Sequence, residues 1–85
     1  MAAPAWKTAA DVAEGYITLN PVTLKRFLPA ELDQLQRELE KVTRESRTLI
    51  VPENDADKAQ SKNRRLLRLA QATTVLNSYR SRMGR

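Results

Sequence analysis

The chain contains no cysteine and no histidine. That removes thiol nucleophiles, imidazole bases, disulfides and the nitrogen and sulfur ligand sets of structural zinc sites. Glycine occurs twice in 85 residues, leaving no glycine-rich loop to wrap a phosphate. Aromatics are as scarce, with one Trp, one Phe and two Tyr, too few for a row of stacked bases. No stretch approaches the ~20 consecutive apolar residues of a membrane span. What the chain does contain is 41% hydrophobic and 29% charged residues, a balance that predicts folding in water rather than disorder. The length predicts one small helical domain over 1–85, because domains usually run to about 100–200 residues.

The formal net charge of +5 is unevenly spread. Residues 1–60 carry eight basic and ten acidic side chains, whereas residues 61–85 carry seven basic and none acidic. A basic final third suggests an anionic partner. The first ten residues hold no apolar run suited to a secretory leader, and the first arginine is Arg26, preceded by Asp11 and Glu14, unlike a mitochondrial presequence. The expected location is the cytoplasm.

Local signals divide the chain into short segments over 1–28, a long helix over 29–51, a loop over 52–55 and a second long helix over 56–83. Thr8, with Asp11 three residues on, reads as the cap of a first helix that Gly15 would end. So short a helix has to dock, and Trp6, Val12 and Ala13 are its apolar contacts. Tyr16 to Leu19 alternates like an extended segment. Asn20-Pro21 is a second helix start, and Pro29 a third. Thr48 to Val51 could end the long helix or run extended beside Tyr16 to Leu19.

From Leu28 the sequence repeats Leu32, Leu35, Leu39, Val42, Ser46 and Leu49 at steps of four and three, a heptad stripe. Asp33 precedes Arg37 and Glu40 precedes Arg44 by four, the favourable order for surface pairs. The last helix carries Leu66, Leu69, Thr73, Leu76 and Met83 on one stripe, with Lys62 and Arg80 flanking it. Ala72, Val75 and Tyr79 form a second face that the Trp6 segment could cover, and Leu67 lies outside the stripe. The fold class expected is all-α: an antiparallel hairpin of two long helices with coiled-coil-like packing, braced by short N-terminal helical segments.

Three chemistries deserve weighing. Leu32, Leu35, Leu39, Val42, Leu66, Leu67, Leu69, Leu76 and Tyr79 are the candidate helix-packing or interface residues; the core they build is thin, which predicts a protein partner or a homo-oligomer. Lys62, Arg64, Arg65, Arg68, Arg80 and Arg82 form a candidate anion-binding set, extended by Arg85, with nucleic acid as the competing partner. The carboxylates at Glu38, Glu40 and Glu45 alternate with Arg37, Lys41 and Arg44. Those at Glu53, Asp55 and Asp57 lack the glycine and ligand spacing of a calcium loop. Both groups read as solvated faces. Serine and threonine lack a base other than lysine, and a helical hairpin offers no pocket. The expectation is a non-enzymatic interaction or assembly adaptor with no catalytic residue, metal, cofactor or small-molecule substrate. A membrane surface is not expected either, because the apolar side of residues 64–83 carries neither Trp nor Phe.

Overall fold

The computed structural model describes residues 4–83, and Met83 only through its backbone. Arg85 and the side chain of Met83 therefore lie outside the described residues. The chain forms four helices, α1 (Ala5–Glu14), α2 (Pro21–Leu24), α3 (Pro29–Arg47) and α4 (Ala56–Met83), with no strand among the described residues. Tyr16 to Leu19 thus pairs with nothing as a sheet, and neither does Thr48 to Val51.

α1 begins earlier than its sequence suggests. Pro4 is held at φ −55° and ψ 146°, and its carbonyl accepts the N–H groups of Lys7 and Thr8, each at 3.0 Å. Proline fixes the approach to the helix without any side-chain cap, so Thr8 lies inside α1 and is buried. Gly15 ends the helix as expected, at φ 82°. Its N–H reaches the Val12 carbonyl at 3.1 Å and that of Tyr16 reaches Asp11 at 2.9 Å, the paired bonds of a Schellman ending.

The next two starts follow the local signals. The Asn20 side chain accepts the Thr23 N–H at 2.9 Å, with Pro21 in the first turn of α2. At α3, Glu31 Oε1 accepts the Leu28 N–H at 2.8 Å. Leucine has no oxygen to return the bond, so this is half of a capping box, and Pro29 completes the start. Leu28, expected on the apolar stripe, sits at this cap and is exposed.

α3 stops at Arg47, several residues short of the expected end at 51. The cause is local: Ile50 and Val51 are β-branched, and Val51 precedes Pro52, which disfavours helical geometry there. Thr48 closes the helix, its hydroxyl donating to the Glu45 carbonyl at 2.8 Å. The connector is therefore 48–55 rather than 52–55. Asp55 then accepts the Lys58 N–H at 3.0 Å and opens α4, which covers the residues expected of it.

α3 and α4 pack against each other, and α1 packs against both. The bonds joining α4 to α3 step backwards along α3: Lys62 meets Arg47, Arg65 meets Ser46 and Arg80 meets Gln36. One continuous core results. It contains Leu32, Leu35 and Leu39 of α3, Leu69, Ala72 and Leu76 of α4, Ala9, Val12 and Ala13 of α1, and Leu19, Leu24 and Phe27 from the segment between α1 and α3. Val42, Val75 and Tyr79 pack at its edge. Trp6 does not dock; it is 62% exposed, and α1 holds on through alanines and Val12 instead. At 48 × 23 × 18 Å the molecule is a rod, its long dimension set by α4, which spans about 42 Å. No helix among the described residues is long and apolar enough to cross a membrane.

Candidate interaction surfaces

The basic residues of α4 are mostly engaged within the fold. Lys62 Nζ donates to the carbonyls of Arg47 at 3.1 Å and Leu49 at 3.0 Å. These oxygens lie at and just past the end of α3, where no helical partner remains for them. Arg65 Nε donates to the hydroxyl of the buried Ser46 at 2.9 Å, and its Nη1 pairs with Glu14. Arg68 places Nε and Nη2 on the Ala13 carbonyl, at 3.1 and 2.8 Å. That oxygen is one the Schellman ending of α1 leaves open. Cations at the carbonyl ends of helices are favoured by the helix dipole as well as by the bonds themselves. At the other end of the rod, Arg80 bonds the Gln36 side chain and approaches Asp33 at 3.6 Å, while Asp33 also pairs with Arg37 at 2.9 Å. Glu40 faces the Gln36 amide at 3.5 Å rather than pairing with Arg44.

Lys62, Arg65, Arg68 and Arg80 of the candidate anion-binding set are thus brought against backbone and side-chain acceptors of this same chain. Arg64 and Arg82 are exposed, and among the described residues their side chains make no hydrogen bond or ion pair. No spacing rule reveals this difference, because the acceptors lie as much as 55 residues away along the chain.

The leucine stripes are likewise inward. Leu32, Leu35, Leu39, Leu69 and Leu76 are fully buried, Val42, Leu66 and Tyr79 are half-buried, and Leu67 is 58% exposed on the outer side of α4. Among the described residues, two grooves stand open besides smaller clefts bordered by α1. One lies between α3 and α4, about 490 Å³, with Thr43 and Arg47 on one wall and Leu66, Ala70 and Thr73 on the other. It is on the side of α3 away from α1, since Val42 and Glu45 line a separate cleft with Ala10 of α1. Thr43 and Thr73 donate their hydroxyls to the Leu39 and Leu69 carbonyls of their own helices, so these two groups are already satisfied, while Glu40, Arg44 and Arg47 add charge to the same lining. The second groove, about 410 Å³, lies at the end of the rod where α1, the connector and the first half of α4 meet.

No serine or threonine lining either groove is hydrogen-bonded to a basic side chain among the described residues. Ser61 and Lys62 both line the end groove, but Lys62 Nζ is directed at the Arg47 and Leu49 carbonyls, and no described hydrogen bond joins it to Ser61. Among the described residues no three His, Cys, Asp or Glu side chains come together as a metal site requires, and no buried side-chain polar atom lacks a partner. Comparison with protein-family models, curated proteins and solved structures returned no match to the chain.

Proposed function

We propose that this protein is a small, non-enzymatic helical interaction protein. In this reading α3 and α4 form an antiparallel hairpin with coiled-coil-like packing. A partner helix, a second copy of the chain being the first to test, lies in the groove they leave open. The observation that supports it is the one-sided packing: α1 covers one flank of the α3–α4 pair, and the opposite flank keeps a groove with Leu66, Ala70 and two internally bonded threonines at its floor and charged side chains around them. Such a surface accepts another helix without burying an unpaired hydroxyl, provided the charged side chains stay at its edge. Its rim carries both signs, Glu40 with Arg44 and Arg47, an arrangement that complements itself across a two-fold axis. Because the leucines of the stripes are occupied in the core, this groove and not the stripes is the contact surface.

Light scattering coupled to size exclusion tests the reading. The expected result is either a mass above the monomer at high micromolar concentration or a stoichiometric protein partner at purification, each lost on Ala70→Glu. A monomer with no protein partner would count against it. A high 260/280 absorbance ratio that disappears in high salt would favour instead the accessory nucleic-acid role of the basic residues, with a log–log salt slope near −0.9 per duplex phosphate contacted.

A further inference from the structure

We propose that the groove at the end of the rod docks an acidic, apolar peptide segment of a partner protein. The site is separate from the α3–α4 groove and needs nothing from it. Five cations, Lys58, Lys62, Arg64, Arg65 and Arg68, surround it, and Glu14 is the one carboxylate in its wall. Between them runs a continuous apolar edge, Leu49, Ile50 and Val51. Ile50 is 94% exposed, the most exposed large aliphatic residue described, and nothing in the fold uses it.

The edge is held in place. α3 stops before it, Pro52 follows it, and Lys62 fixes the Leu49 carbonyl at 3.0 Å. The cations behind it keep donors to offer. A guanidinium has five N–H groups; Arg68 directs Nε and Nη2 to Ala13, and Arg65 directs Nε and Nη1 to Ser46 and Glu14. Arg64 directs none to another described residue. A carboxylate entering the groove therefore meets oriented guanidinium groups, and an aliphatic side chain next to it covers Ile50. The volume suits the side chains of a few residues.

A nucleic acid would leave the apolar edge against phosphates and would find no aromatic side chain in the lining on which to stack a base. A bilayer surface would reach Ile50 but not Arg68, which is half-buried behind it. A peptide alternating acidic and aliphatic residues satisfies both halves of the site.

Fluorescence anisotropy of a labelled peptide alternating Glu and Leu, at about 0.15 M salt, provides the test, with an all-Glu peptide and a Lys-Leu peptide as comparisons. The Glu-Leu peptide is expected to bind more tightly than either. Ile50→Ser and Arg64→Glu should each weaken it by tenfold or more, and Ala70→Glu in the other groove should leave it unchanged. Both end-groove positions are exposed, so the variants should fold, which circular dichroism checks. The proposal is overturned if the Glu-Leu peptide shows no saturable binding, if neither end-groove variant affects it, or if Ala70→Glu abolishes it. It is equally overturned if single-stranded RNA, or vesicles containing phosphatidylserine, bind more tightly than the peptide through Arg64.

Discussion

Arg68 finishes a helix it does not belong to. Two of its nitrogens sit on the Ala13 carbonyl of α1, and Gly15 lets it approach: a Cβ at Gly15 would stand 3.3 Å from the guanidinium. Glycine suits the site first for its φ of 82°, and a side chain there would also press on Arg68, which would have to shift by a few tenths of an ångström. Arg64, one turn earlier, has no such role. Replacing Arg68 by alanine is therefore expected to lower stability by about 1.5–3 kcal/mol, the range for hydrogen bonds to charged groups. Arg64→Ala should stay within about 0.5 kcal/mol. Urea denaturation of the two variants side by side measures the difference. A larger cost belongs to Leu39, fully buried in mid-α3. Leu39→Ala should cost about 2–5 kcal/mol, a large share of the ~5–15 kcal/mol that a domain possesses, and a melting curve will register it. Leu39 was legible in the sequence because periodicity reports burial. Arg68 was not: its charge is plain, but its acceptor is in another element and no spacing encodes it.

Among the elements, those whose ends are set by side chains a few residues away were the readable ones. Asn20 caps α2, Pro29 starts α3, and Asp55 opens α4. The misread ends are those where two local signals compete. Thr8 looks like a cap, yet Pro4 starts α1 sooner; Leu49, Ile50 and Val51 extend the apolar stripe, yet β-branching and Pro52 stop α3 first. Trp6 illustrates a different limit, for its position on α1 faces solvent while the smaller Ala9 and Ala13 allow the helices to approach. At this scale the test is Asn20→Ala. Loss of the cap should cost about 0.5–2 kcal/mol, and native-state hydrogen exchange should show it first at the Thr23 amide, whose partner is removed.

For the whole molecule, the rod shape makes the mode of association measurable. A partner lying in the α3–α4 groove runs beside the long axis. Small-angle scattering of a self-associated form should then show a thicker cross-section with a longest dimension still near the 48 Å of one chain. End-to-end association through the connector would nearly double that length and would exclude the side-on arrangement. The all-helical class and the two long helices were visible in the heptad steps. The sequence did place the first segment on the Ala72 and Val75 side of α4, where Val12 lies, but it used Trp6 for a contact that Val12 and the alanines make, and the flank left open on the other side was not legible.

The ties between α1 and α4 also set an order of assembly. Arg65 and Ser46 close a segment of 19 residues, whereas Arg68 and Ala13 close one of 55. The longer closure costs about 1 kcal/mol more in chain entropy. α1 has ten residues, too few to persist alone. During synthesis it is made before α4, which carries Arg68 and Ala72, two of the residues beside it. α1 can meet its α3 face once α3 is made, but its carbonyl end stays unfinished, and the core stays open, until α4 has followed.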